Sequence, residues 1–216
     1  MHEVTAGAPA RVASRLELSA GALAANVAMF RKLTAEVGGP RALGAVLKGN
    51  AYGHGLTQMM PLVHPLVDIL YFITPGDALT VRAFEQARGL PRKQVLVIGA
   101  MDAEEAVALA RAEVEVVVGD GSWKDTVAEL RRAKLEHPLR AHVHVDTGLG
   151  REGFTPGQIA GGELDFLREA SDVLRVVGVL SHFSNTEDVT EQTYAESQVD
   201  VFEGGLVALR TSVPVQ

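Results

Sequence analysis

The sequence predicts an α/β protein of the (β/α)8-barrel type, with about six β/α units present in its 216 residues. Three observations lead there. Six short apolar runs begin near residues 42, 68, 94, 113, 139 and 174, and a helix-sized segment follows each. The runs are continuous in Val, Ile and Leu rather than alternating, as in strands covered on both faces of a parallel sheet. Composition is that of a folded globular chain, 47% hydrophobic and 22% charged, too apolar for disorder. A doubly wound sheet is the other arrangement of such units. A closed barrel needs eight strands and typically about 250 residues.

Residues 1–14 read as a flexible tail, and 15–216 as a partial barrel domain. Ser19 can cap a helix whose apolar positions are Leu23, Val27, Phe30, Leu33 and Val37, stopped by Gly38-Gly39-Pro40. Ala42 to Lys48 is the first strand-like run. Pro61 and Pro65 then interrupt the segment where a helix is due, which predicts a short or kinked one. Asp68 to Ile73 is a strand, followed by a helix over Asp77 to Arg88. Gln94 to Ile98 is the next strand, and Asp102 with Glu105 opens the helix after it in capping-box fashion. Glu113 to Val118 is a strand, and Ser122 with Asp125 starts a helix through Lys134. Leu139 to Asp146 is a strand, and Thr155-Pro156 marks a cap with Pro at the first helical position. Leu174 to Leu180 is the sixth strand, and Thr190 to Arg210 is largely helical.

Composition excludes several function classes. The net charge of −7 offers no basic excess to displace counterions from nucleic acid or an anionic membrane. With no cysteine there is no disulfide, thiolate metal site or cysteine nucleophile, and no metal site is expected. The N-terminus lacks the apolar core of a secretory signal, and no apolar run reaches the 18 or so residues of a membrane helix, so the expected setting is the cytoplasm.

In barrels of this type the chemistry collects at the C-terminal ends of strands. Lys48 ends the first strand, within AVLKGNAYGHG. A partly desolvated lysine loses some of its preference for the charged form, and a neutral amine can condense with a carbonyl. The bland reading is a surface lysine before a glycine-rich turn. The fifth strand ends in Asp146, within HVHVDTGLGREGF, whose glycines present Arg151, a planar fork of donors for an oxyanion. The bland reading there is an Asp146–Arg151 ion pair. The sixth strand leads to His182, within VLSHFSNTED, which can stack on a flat ligand or simply be satisfied by backbone. Ser181, Ser184, Asn185 and Thr186 add a polar rim. The convergence of lysine, arginine and histidine at three strand ends favours a pocket over coincidence.

These segments resemble the alanine racemase family. AVLKGNAYGHG is similar to its pyridoxal-phosphate lysine segment, and HVHVDTGLGREGF and VLSHFSNTED resemble two later segments in the same order. RLELSAGALAANVAMF resembles the opening strand and first helix. The resemblance implies a barrel domain, a C-terminal β-domain and a homodimer with shared sites. It implies racemisation of L- and D-alanine, D-alanine supply for peptidoglycan, and a two-base mechanism on pyridoxal 5'-phosphate. Lys48 would hold the cofactor as a Schiff base and exchange the α-proton. Tyr52 would help hold its phosphate. Arg151 would donate to its phenolic oxygen and lie near the substrate carboxylate, and His182 would sit beside its ring.

Three departures from the family pattern are visible. Gly49 replaces a small side chain. His144 stands where many members carry a lysine that can be carbamylated to orient the arginine, so Arg151 must be positioned otherwise. The later phosphate-binding loops, the arginine facing the pyridine nitrogen and the C-terminal domain with its tyrosine base have no counterpart, so the chain reads as a partial racemase that alone does not racemise alanine. Two alternatives stay open: a single-domain barrel that binds or buffers pyridoxal phosphate, and a broader-specificity amino-acid racemase.

Overall fold

The computed structural model describes residues 15–36, 42–184, 186–187 and 190–213. The 1–14 tail and the Gly38-Gly39-Pro40 stop lie outside them. All six strands pair in parallel, in the order in which they occur in the chain: β1 (Gly44–Val46), β2 (Ile69–Phe72), β3 (Gln94–Val97), β4 (Glu115–Val118), β5 (Leu139–His144) and β6 (Leu174–Leu180). That order decides between the two arrangements. A doubly wound sheet reverses direction at a switch point, whereas here every crossover steps to the same side, as in a barrel wall.

The connections are helical. Helix α1 (Ala20–Glu36) precedes β1, and α2 (Lys48–Tyr52) and α3 (Leu56–Val63) follow it. Helices α4 (Pro75–Arg88), α5 (Ala103–Arg111) and α6 (Trp123–Arg132) follow β2, β3 and β4 in turn. Two short helices, α7 (Pro156–Ala160) and α8 (Asp165–Glu169), link β5 to β6, and α9 (Thr193–Ser212) closes the described chain. No helix among the described residues is long and apolar enough to cross a membrane.

Local chemistry sets most boundaries. Thr74 accepts from the Asp77 amide ahead of Pro75, and reciprocal capping boxes form at Asp102–Glu105 and Thr155–Gln158. Ser19 accepts from the Ala22 amide at 3.2 Å. Ser122 stands at the start of α6 as expected, but its hydroxyl donates to Asp120 rather than accepting from the first turn. Strand β4 starts at Glu115 rather than Glu113, which turns with φ 54° at the end of α5.

The outward faces of the strands (Leu70, Phe72, Val95, Val97, Val116, Val118, Ala141 and Val143) are buried under the helices and form the core. Helix α3 is short, as Pro61 in its second turn and Pro65 just beyond it predict. A buried triad holds it to α4: Glu85 accepts from His64 Nε2 at 3.1 Å, from Arg82 Nη1 at 2.8 Å and from the Lys93 amide at 2.8 Å. Burial alone would raise the Glu85 pKa, but those donors outweigh it and hold the carboxyl below its ordinary range. Helix α1 departs from its expected amphipathic role. None of its residues is buried, and Phe30 and Leu33 are 52% and 50% exposed. It lies beside α3, tied by Arg31 to Asp68 at 3.0 Å and to the Leu66 carbonyl at 2.8 Å.

On the inner face, toward the N-terminal ends of the strands, Glu115 gathers Gln94 (2.8 Å), Arg140 (2.7 Å) and His142 (2.6 Å). The register shifts at Ala141/His142, which sets His142 opposite Gly178. The imidazole fills the space where any side chain at 178 would stand. Burial pushes the Glu115 carboxyl up, yet the three hydrogen bonds dominate and bring it to about 2.

A fall from the usual 4.5 to about 2 is worth roughly 3 kcal/mol. The folded state releases this proton more readily, so the stabilisation is complete above about pH 4.5 and fades as pH falls toward 2. Urea midpoints measured at several pH values should show Glu115→Gln less stable at pH 7 by roughly 2–4 kcal/mol, with the gap to the native chain closing below pH 4.

Candidate functional site

A cavity of about 300 Å³ opens at the C-terminal ends of the strands. Val46, Ile98, Val117 and Leu180 give it an apolar wall, and Tyr71, His144, Arg151, Glu152, Ser181 and His182 add polar groups. An apolar hollow with a few convergent polar side chains is the common form of a small-molecule site. A larger cavity, about 410 Å³, lies at the opposite end of the strands. There Arg82, Arg92 and Arg140 already pair with Glu85, Glu113 and Glu115.

The turn after β1 is left-handed. Gly49, Asn50 and Ala51 have φ of 59°, 55° and 54°, and Tyr52 follows at 54°. Its amides still bond four residues back, Ala51 to Leu47 and Gly53 to Gly49 at 3.0 Å each. Left-handed winding costs an L-residue roughly 1–2 kcal/mol, and such strain gathers at functional positions. Asn50 offsets part of it by accepting from the Leu56 amide at 2.7 Å, which caps α3. The turn half-buries Lys48. Lys48 Nζ stands 6.0 Å from the centre of the exposed Tyr52 ring and has no ion-pair partner among the described residues.

The loop after β5 doubles back on its strand. Asp146 Oδ1 accepts from the amides of Gly148 and Gly150, at 3.0 Å each. The Asp146–Arg151 ion pair of the bland reading is not formed: Asp146 shapes the loop through Oδ1, and the carboxylate nearest to Arg151 Nε is Glu152. Phe154 then returns beside the strand, its amide bonded to the His144 carbonyl at 2.9 Å. Gly153, at φ 106°, lies so close to Asp146 that a Cβ would fall 2.7 Å from the Asp146 amide nitrogen. This curvature brings Arg151 and Glu152 over the cavity, with Arg151 Nε 3.6 Å from Glu152 Oε1.

His144 ends β5 inside the cavity wall. It is 4% exposed, and its Nδ1 has no hydrogen-bond partner among the described residues. Glu152 Oε1 lies 3.7 Å from that nitrogen. Burial is the main cause holding the imidazole pKa below its usual value; Glu152 opposes it, Arg151 and His182 reinforce it, and Asp146 opposes it more weakly than Glu152. His182 is exposed on the rim beyond β6. Ser181 lies 2.9 Å from Thr147, and Gln198 of α9 donates to Thr147 at 3.1 Å while accepting from the Ser184 amide at 2.9 Å.

The structure thus brings Arg151 and His182 to one cavity, with His144 at the end of β5 in its wall. Lys48 and Tyr52 sit on the adjoining turn, outside the cavity lining. Asn185 of the expected rim lies outside the described residues. Sequence reasoning missed Glu152, Gln198 and the capping role of Asn50. Only Asn50 left a signal, since Gly-Asn is a pair that tolerates left-handed φ.

The chain as a whole is similar to known proteins. The family model described as alanine racemase, N-terminal domain, matches residues 18–215. The alanine racemase of Pediococcus pentosaceus is 32% identical over 190 residues, covering 88% of this chain and 47% of the relative. That of Nitrosococcus oceani is 32% identical over 193 residues, covering 87% and 49%. The chain spans about half the length of the curated relatives it matches. Among solved structures, an alanine racemase from Streptomyces lavendulae aligns with a TM-score of 0.76 at 26% identity, over 91% of this chain and 49% of that one. One from Oenococcus oeni, at 24% identity and a TM-score of 0.72 over 92% and 53%, shares the fold.

The left-handed turn makes a prediction of its own. Asn50→Ala loses both the tolerant residue and the α3 cap, and should cost about 1–3 kcal/mol in chemical denaturation. Asn50→Asp, which keeps the acceptor, should retain most of that stability. Equal losses in the two variants would show that the cap contributes nothing.

Proposed function

Because the chain belongs to the alanine racemase family through its N-terminal domain, we propose that it binds pyridoxal 5'-phosphate and moves the α-proton of a small amino acid, alanine first. The observation that carries this reading is the strand-end cavity, where Arg151, His144 and His182 converge and on whose adjoining turn stands Lys48, with no ion-pair partner among the described residues. The donor set fits the cofactor. A flat, anionic aldehyde needs an amine to hold it, cationic or neutral donors for its oxygens and an apolar wall for its ring. The buried His144 nitrogen left without a partner is a further sign of a ligand-ready wall.

Lys48 would attach the cofactor through Nζ and, once displaced by the substrate amine, take or return the α-proton on its own face. The bound cofactor supplies an electron sink for the negative charge left at the α-carbon. Arg151 would offer its terminal nitrogens to the phenolic oxygen and the substrate carboxylate, a planar match that lysine cannot reproduce. Tyr52, beside Lys48 on the left-handed turn, would donate to the phosphate. His182 would flank the ring from the rim, and Val46, Val117 and Leu180 would keep water from it. The homodimer and the cytoplasmic setting of this reading rest on the family likeness.

Two measurements test it. After incubation with pyridoxal phosphate, borohydride reduction and peptide mapping, the label should sit on Lys48, and Lys48→Ala and Lys48→Arg should carry none. In D2O the loaded chain should exchange the α-proton of alanine, a step that needs an acid/base on one face only, and Lys48→Ala should lower the rate roughly 10²–10⁴-fold. A label on another lysine would remove the central assignment. Arg151→Lys should impair exchange while leaving the denaturation midpoint nearly unchanged, since the side chain is 55% exposed.

A further inference from the structure

We propose that Glu152 is a positioning residue: its carboxylate, set between the Arg151 guanidinium and the buried His144 ring, fixes the direction in which Arg151 faces the cavity. The proposal rests on Arg151 serving the cofactor as above. Arg151 is a long side chain on a loop, half exposed, with many rotamers open to it. A donor that must meet a ligand oxygen within a few tenths of an ångström needs an anchor. Two carboxylates stand near enough to be considered. Asp146 accepts from the amides of Gly148 and Gly150, and it makes no pair with Arg151. Glu152 remains, and among the described residues it is the ion-pair partner of Arg151.

The geometry of Glu152 suits an anchor. The backbone beyond it is pinned, Gly153 to the Gly119 carbonyl and Phe154 to that of His144, at 2.9 Å each. Its side chain leans over Gly119 at the end of β4, where a Cβ would stand 3.7 Å from its own Cβ. One oxygen, Oε1, lies 3.6 Å from Arg151 Nε and 3.7 Å from His144 Nδ1. The contact with arginine runs through Nε, which leaves the two terminal nitrogens for a ligand. His144 Nδ1 is the buried side-chain nitrogen without a partner. In the tautomer that carries its proton there, the ring presents the positive end of its N–H bond to Glu152 across 3.7 Å, an electrostatic contact rather than a hydrogen bond, and steadies the carboxylate from behind. Both distances are longer than hydrogen bonds, as catalytic contacts commonly are before a ligand closes the site.

The test uses the whole chain labelled with ¹⁵N-arginine, without and with pyridoxal phosphate. Without cofactor, the Arg151 Nε–H signal, assigned by its loss in Arg151→Lys, should exchange with solvent more slowly in the native chain than in Glu152→Leu. The isosteric Glu152→Gln should fall between them. With cofactor, Glu152→Leu should weaken pyridoxal phosphate binding about tenfold, and in an Arg151→Lys background the same change should have little effect. Unchanged exchange and affinity in Glu152→Leu would overturn the proposal. So would an equal loss of affinity in both backgrounds, because Glu152 would then act by another route. If the native chain binds no pyridoxal phosphate, the functional reading fails, and the exchange rates alone still decide whether Glu152 holds Arg151.

Discussion

Consecutive parallel pairing from β1 to β6 is the constraint on which the rest of the molecule depends. Each strand must be re-entered from the same end, so each needs a crossover on the outer face. That puts a helix over every outward row of Val, Leu and Phe and gathers all the strand C-termini on one rim. The two ends of the inner face are then free to differ. At the N-terminal end, Glu115 is paired to saturation with Gln94, Arg140 and His142. At the C-terminal end, His144 and Arg151 keep unspent capacity around an open cavity. The first arrangement surrounds the carboxylate with three partners and the second leaves polar groups open to the cavity, and two residues on β5, His142 and His144, connect them.

Much of this was legible in the sequence because it depends on local rules. A run such as QVLV has few alternatives to a covered strand, and Asp102 with Glu105 or Thr155 with Pro156 says where a helix starts. The failures have physical causes. Glu113 looks like strand until its backbone has to turn out of α5. Phe30 and Leu33 recur at helical spacing, which shows that α1 has an apolar stripe but not what covers it. Asp146 and Arg151 have opposite charges and suitable spacing, and the bland reading pairs them; instead Asp146 Oδ1 accepts from two glycine amides and Arg151 Nε stands 3.6 Å from Glu152.

The site itself was half legible. Lys48, Arg151 and His182 stand out as reactive residues at strand ends, a rule that follows from topology. Glu152 does not stand out, because adjacent residues on an extended chain point apart. Only the tight return of the β5 loop turns the Arg151 and Glu152 side chains toward one another. Handedness was hidden for a similar reason. GNAY permits a left-handed turn, but the turn is imposed by the bonds that Ala51 and Gly53 make to the backbone behind them.

Helix α9 has a dynamic consequence. Gln198 holds Thr147 beyond β5 and Ser184 beyond β6, Tyr194 donates to the Gly148 carbonyl at 3.1 Å, and Gly205 packs against Val145. Thr147, Gly148 and Ser184, which flank Arg151 and His182, are thus all bonded to one helix. A tilt of α9 would displace both in concert, so their motions on the microsecond scale of helix shifts should be correlated. The rim would then move as a single jaw, joined through a glutamine that faces neither the cavity nor the solvent.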